Sequence, residues 1–110
     1  MNDECRHFFG MQTVKKLLDN MALLKLNTFH WHLADDQGYR IEAKAFPLLN
    51  EVASKRKYNN FAKRNQTDSQ PEYGSCYYTH DAIRELVTYA AERHISVIPE
   101  IDIPGHTTAM

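Results

Sequence analysis

The chain has 110 residues, enough for one small domain, and its 43% hydrophobic content is ordinary for a globular protein. A net charge of −1 gives no electrostatic reason to expect nucleic acid or an anionic membrane as partner, and no apolar run approaches the roughly 20 residues of a membrane span. The two cysteines, Cys5 and Cys76, form neither a disulfide framework nor a metal knuckle and read as ordinary thiols.

Residues 3–9 pass from polar to aromatic and read as the last residues of a strand. From Gln12 to Lys25 the apolar positions Val14, Leu17, Leu18, Met21 and Leu24 follow helical spacing. Leu26 to Leu33 alternates and predicts a strand, with His30 and His32 on one face and Phe29, Trp31 and Leu33 on the other. Ala34 to Gly38 is its acidic exit loop. Ile41 to Asn50 reads as a loop or edge segment ended by Pro47. Residues 53–75 read as a long polar surface loop, with a short helix around Leu49–Lys55. That loop contains Asn65-Gln66-Thr67, a glycosylation triplet of a kind that arises often by chance. Thr79 is a good N-cap and Asp81 suits the first helical turn. Ile83, Leu86, Val87 and Ala90 give the stripe of a second helix, to about Arg93. Ile95 to Ile101 predicts a strand, and Asp102 to His106 its exit loop.

Strands separated by helices imply right-handed crossovers and a parallel sheet. Each strand ends in a polar cluster: Arg6; then Asp35 and Asp36; then Glu100, Asp102 and His106. In an eight-stranded β/α barrel those ends gather at one mouth, but such a barrel takes about 250 residues. The expected fold class is therefore α/β, a partial (β/α)8 TIM barrel of roughly the first three strands and two helices. Residues 1–110 would be the N-terminal fragment of a larger catalytic domain, with both sheet edges unpaired.

Several residues carry chemistry, each with a plainer alternative. Asp35 could hold His106 in one tautomer, so that the imidazole orients a third group; otherwise the two are loop residues that never meet. His30 and His32 could ligate a divalent metal with Asp35 and His106, or pack inside and bond to neighbours. Glu100 and Asp102 share a face and could act as acid and base, or Asp102 could cap the turn before Pro104. Trp31, Tyr77 and Tyr78 could stack on a sugar, although core packing is the better default.

The run from Phe29 to Leu49, FHWHLADDQGYRIEAKAFPLL, resembles the second-strand signature of the glycoside hydrolase family 20 β-N-acetylhexosaminidases. Val97 to His106, VIPEIDIPGH, is similar to that family's third-strand signature, and DECRHFF at residues 3–9 to the end of its first strand. Three motifs in order are far more specific than one; Tyr39, where tryptophan is commoner, is a minor departure. The resemblance implies that Asp35 and His106 form a relay behind the catalytic glutamate. It sets Arg6 on hydroxyls of the terminal sugar, where a guanidinium fork suits paired oxygens. Glu100 and Asp102 fall near the sugar-binding mouth, His32 in the wall of the site, and no metal or other cofactor is required. The implied reaction removes terminal β-linked N-acetylglucosamine or N-acetylgalactosamine, with the substrate's acetamido oxygen as nucleophile and net retention. The Asp-Glu pair that drives it lies on the family's fourth strand and is not in this sequence, so the 110 residues alone are expected to be inactive. The expected partner is a carbohydrate, and the family's usual compartments are periplasmic, extracellular or lysosomal. Two alternatives remain open at this point. One is a metal-dependent barrel hydrolase using His30, His32 and His106; the other is a short non-catalytic protein that pairs through its sheet edges.

Overall fold

The computed structural model describes residues 1–57 and 72–110. The Asn65-Gln66-Thr67 triplet and most of the expected surface loop lie outside the described residues. The elements in order are β1 (Asn2–Asp3), α1 (Met11–Leu23), β2 (Thr28–Asp35), β3 (Gly38–Tyr39), a π-helical turn (Leu49–Ala53), β4 (Arg56–Lys57), β5 (Glu72–Tyr73), α2 (His80–Ala91) and β6 (Ser96–Ile101). No helix among the described residues is long and apolar enough to cross a membrane.

The two predicted helices form close to their expected bounds. Thr79 caps α2 as its side-chain oxygen accepts from the Ala82 N–H at 3.1 Å. Helix α1 starts at Met11, one residue before the expected Gln12, and Gly10, at φ 78°, precedes it without a side-chain cap, a positive φ that glycine tolerates. Both helices end alike. Lys25 and His94 take φ values of 57° and 56°, and the N–H of the next residue reaches back to Met21 and Ala90 respectively. This six-to-one closure satisfies the last carbonyls and aims the chain straight into a strand.

Strand β2 is the centre of the main sheet, with β1 and β6 parallel on its two sides. The sheet is mixed rather than purely parallel, since β3 returns antiparallel to the end of β2 with Ala34 opposite Tyr39. Only Asp36 and Gln37 separate the two strands, and a two-residue connection permits nothing but an immediate reversal. Strand β1 is shorter than the expected 3–9. Beyond Asp3 the carbonyls of Glu4 and Cys5 accept from the Arg40 guanidinium, which takes them out of sheet pairing.

The core lies on one side of the sheet. Phe29, Trp31 and Leu33 of β2 pack against Val14, Leu18 and Met21 of α1, Leu86 and Ala90 of α2, and Tyr78 and Ile95. Thus the alternation of β2 is realised, and Trp31 and Tyr78 are core residues, their rings 4.8 Å apart. The opposite face carries the polar row. Register pairs His32 with Asp3 of β1 and with Glu100 of β6, so these three project side by side from adjacent strands.

Beyond His32 the register slips: β2 advances two residues, to Ala34, while β6 advances one, from Glu100 to Ile101. This bulge has a consequence for the next side chain. Strict alternation would send Asp35 to the core face with Leu33; the extra residue re-aims it, and Asp35 turns back onto His32.

Candidate active site

The ends of β1, β2 and β6 bring Arg6, Asp35 and His106 together. Asp35 is the hub, with a side chain only 1% exposed. Its Oδ2 lies 2.9 Å from His32 Nε2 and 2.6 Å from an Arg6 guanidinium nitrogen. Its Oδ1 accepts from the Asp36 N–H at 2.6 Å and faces His106 Nδ1 at 3.3 Å. Burial pushes this carboxyl up, but the His32 bond, the Asp36 N–H and the charges of Arg6 and His106 outweigh it. Asp35 therefore ends below the ordinary carboxylate range.

Arg6 is oriented on three sides. It contacts Asp3 Oδ2 at 2.9 Å and Asp35, and its Nε donates to Gln37 Oε1 at 3.2 Å. His106 is exposed and takes φ 56°, in a loop held at its two ends. Thr107 Oγ1 donates to the Pro104 carbonyl, and Asp36 Oδ1 accepts both the N–H and the hydroxyl of Thr108, at 3.1 and 2.8 Å. The Thr108 hydroxyl and N–H hold the Asp36 carboxyl low, burial opposing them and His106 assisting.

His32 is enclosed, its side chain 3% exposed, with Nδ1 3.2 Å from Glu100 Oε2. The same Glu100 oxygen is in close contact with His30 Nε2. Neither contact has hydrogen-bond geometry, and His32 Nδ1 and Glu100 Oε2 are buried without a hydrogen-bond partner among the described residues. Asp102 approaches His32 and Glu100 with no side-chain hydrogen bond described, while its N–H reaches Ala34 O at 3.4 Å.

Among the described residues, three groups of side chains bring ligand-type atoms within reach of one ion: Asp3, Cys5 and His32; His32, Glu100 and Asp102; and Asp35, Asp36 and His106. His30, His32 and His106 do not assemble as one such group, so the geometry does not favour the metal-hydrolase alternative. An apolar cavity of about 520 Å³ lined by Phe46, Leu48, Leu49, Val52, Ala53, Ala109 and Met110 carries none of this chemistry.

Two buried charges escaped sequence reasoning. Arg40 donates to the carbonyls of Glu4, Cys5, Ser54 and Cys76 and fixes the backbone leading into Arg6. Glu4 is fully buried and accepts from Asn2 Nδ2 and the Phe9 N–H, both at 2.8 Å. Burial pushes its carboxyl up, and the Phe9 and Asn2 bonds offset this only in part. The one signal that could have found Arg40 is Gly38. A Cβ there would lie 2.5 Å from the guanidinium carbon, so the glycine marks a close approach.

Comparison with known proteins bears on this arrangement. The model of the glycosyl hydrolase family 20 catalytic domain matches residues 1–110. A β-hexosaminidase of Vibrio furnissii is 46% identical over 109 residues, covering 99% of this chain and 18% of that protein. The β-hexosaminidase subunit beta of Mus musculus is 38% identical over 105 residues, covering 96% of this chain and 16% of that one. Among solved structures, a family 20 exo-β-N-acetylglucosaminidase of Vibrio harveyi in complex with N-acetylglucosamine superposes with a TM-score of 0.84 at 43% identity, over 97% of this chain and 17% of that chain. The chain thus spans less than a fifth of the length of these relatives.

Proposed function

The chain belongs to glycosyl hydrolase family 20, and from that premise we propose that it is the N-terminal part of a catalytic (β/α)8 barrel in a β-N-acetylhexosaminidase. The protein would remove terminal β-linked N-acetylglucosamine or N-acetylgalactosamine with retention, the acetamido oxygen of the substrate attacking its own anomeric carbon. The catalytic Asp-Glu pair is supplied by a strand beyond these residues. The observation that carries the reading is the contact of His106 Nδ1 with Asp35 Oδ1, 3.3 Å apart, inside a chain matched throughout to that family.

In this reading Asp35 accepts the Nδ1–H of His106. That leaves Nε2 to face the glutamate that protonates the leaving oxygen, so the relay holds and tunes the acid. Arg6, already oriented by Asp3 and Gln37, presents its fork to ring hydroxyls. Asp102 and the second oxygen of Glu100 line the sugar-facing mouth, with His32 in the wall behind them. The substrate class is a glycan or glycoconjugate ending in an N-acetylhexosamine.

The test is hydrolysis of a chromogenic β-N-acetylglucosaminide by the protein in its full natural length. Activity unaffected by a chelator is expected, with Asp35→Asn lowering kcat roughly 10²-fold, the low end of general acid–base contributions. No turnover of glucosaminide or galactosaminide, or turnover abolished by the chelator, would sink the proposal.

A further inference from the structure

Two buried acceptors face one another across β2 and β6. His32 Nε2 lies 2.9 Å from Asp35 Oδ2. An ionised carboxylate only accepts, so Nε2 carries the proton of the neutral ring and Nδ1 keeps a lone pair. That nitrogen faces Glu100 Oε2, 3.2 Å away. Neither atom has a hydrogen-bond partner among the described residues, and the His32 side chain is only 3% exposed. A buried polar atom without a partner calls for an explanation, and two acceptors in contact call for a positive centre shared between them.

We infer that His32 Nδ1, Glu100 Oε2 and a carboxylate oxygen of Asp102 form a binding site for one divalent transition-metal ion of the zinc type, and that an ion held there blocks the mouth to sugar. The site itself stands apart from the glycosidase reading; the blocking effect rests on that reading.

Spacing, donor set and scaffold all fit such an ion. Ligand atoms about 2.0–2.1 Å from a tetrahedral zinc stand about 3.3 Å from each other, close to the 3.2 Å between Nδ1 and Oε2. An Asp102 oxygen lies within 4.8 Å of both. Two carboxylates and a neutral imidazole carry two negative charges, which a divalent cation neutralises, and the imidazole favours zinc and its neighbours over calcium or magnesium. His32 and Glu100 are register partners on adjacent strands, so backbone pairing sets two of the three ligands. Asp35 stands behind His32 as the carboxylate that orients a metal-binding imidazole through its other nitrogen. His30 touches the same Glu100 oxygen with a side chain 43% exposed; it lies outside the group and turns outward as the ion enters. Three protein ligands leave a fourth position for water, and the hydrated ion then stands where Glu100 and Asp102 would meet the sugar.

The experiment is calorimetric titration of zinc chloride into the full-length protein after chelator treatment. The expected result is a saturable binding event that Glu100→Gln and Asp102→Asn each weaken more than about tenfold, the loss that even an outer-shell partner of a metal ligand brings. If Glu100→Gln does not fold, Asp102→Asn carries the test. Asp3→Asn and Asp36→Asn, each from a neighbouring group of ligand-type atoms, should leave the affinity within about threefold, as neither holds the ion nor its ligands. The ion takes no part in turnover, so the chelated protein keeps its activity. Added zinc should raise KM for a β-N-acetylglucosaminide with kcat unchanged, and chelator should reverse this. Absence of saturable binding overturns the site, as does binding that survives Asp102→Asn or is lost in Asp3→Asn or Asp36→Asn. Zinc bound at these residues with KM unmoved overturns the blocking role. Binding lost in Asp102→Asn, in a protein that hydrolyses no N-acetylhexosaminide, would support the site while overturning the glycosidase reading.

Discussion

Replacing Arg40 by methionine tests how the approach to the site is held. Arg40 is 2% exposed. Its Nε donates to Glu4 O at 3.1 Å, one terminal nitrogen to Cys5 O at 3.0 Å, and the other to Ser54 O at 2.7 Å and Cys76 O at 3.0 Å. These acceptors come from the exit of β1 and from the two stretches that flank the β4–β5 pair, the end of the π-helical turn and the segment after β5. Methionine keeps most of the apolar stem and removes every donor. An unsatisfied buried acceptor costs about 1–3 kcal/mol; Ser54 O keeps the Cys76 N–H, so the other three would cost about 3–9 kcal/mol if all stayed dry. Water entering the vacated space relieves part of this, which places the expected loss near the low end, about 3 kcal/mol. Against a typical domain stability of about 5–15 kcal/mol that is a large share. Arg40→Lys should lose roughly half as much, since an ammonium offers donors from a single point and cannot span the four carbonyls. The assay is urea unfolding of the full-length protein, with the two variants compared at equal slope. On the proposed glycosidase reading the same series should raise KM for a β-N-acetylglucosaminide, because Arg6 follows Cys5 directly. A methionine variant within about 1 kcal/mol of the parent would refute the argument that these bonds hold the segment.

Gly38→Ala should destabilise by about 1–3 kcal/mol, as overpacking does, since its Cβ would meet the guanidinium at 2.5 Å and Arg40 is pinned too firmly to yield. In a double-mutant cycle with Arg40→Met most of that cost should vanish. Thr79→Ala removes the acceptor for the Ala82 N–H and should cost about 1 kcal/mol in the same unfolding assay. Asp35 lies below the ordinary carboxylate range, so its contribution is present above the unfolded value of about 3.9 and is lost as pH falls through the folded one. Asp35→Asn should therefore flatten the acid limb of unfolding free energy against pH, and an unchanged limb would contradict that assignment. Iodoacetamide followed by mass spectrometry should modify Cys76 well before Cys5, which is buried with its thiol pushed up by burial; equal rates would count against this burial.

The parts of the fold legible in the sequence are those where periodicity and burial agree. Val14, Leu18 and Met21 face the core, as do Leu86 and Ala90. Leu24 and Val87, counted in the same stripes, are exposed: Leu24 is the residue that caps α1, and Val87, next to Leu86, falls on the flank of α2. Strand β3 was not legible, because two residues are too few to display an alternation and only the shortness of the Asp36–Gln37 turn creates the pairing. Arg40 and Glu4 were hidden for a different reason. Charged residues near loops are ordinarily solvated, and nothing local in the sequence reveals that the carbonyls Arg40 serves lie 14 to 36 residues away along the chain.

The two consecutive aspartates show how pattern and motif divide the reading of the candidate site. By alternation alone Asp35 belongs with Leu33 against the core, where a lone carboxylate would be very costly; the motif placed it in the site, and the bulge after His32 is the physical means. Asp36 was only a member of the acidic turn in the sequence, yet it anchors the loop that carries His106. Its Oδ1 takes both polar hydrogens of Thr108, so the exit of β6 is tied to the exit of β2 across 72 residues of chain. Neither aspartate can do the other's work. Asp35 is enclosed and meets Arg6, His32 and His106 with its charge, whereas Asp36, with a side chain 37% exposed, sets where His106 stands without being the residue it is aligned on. A substitution at Asp36 should therefore displace the imidazole, while one at Asp35 removes the charge that Arg6, His32 and His106 meet.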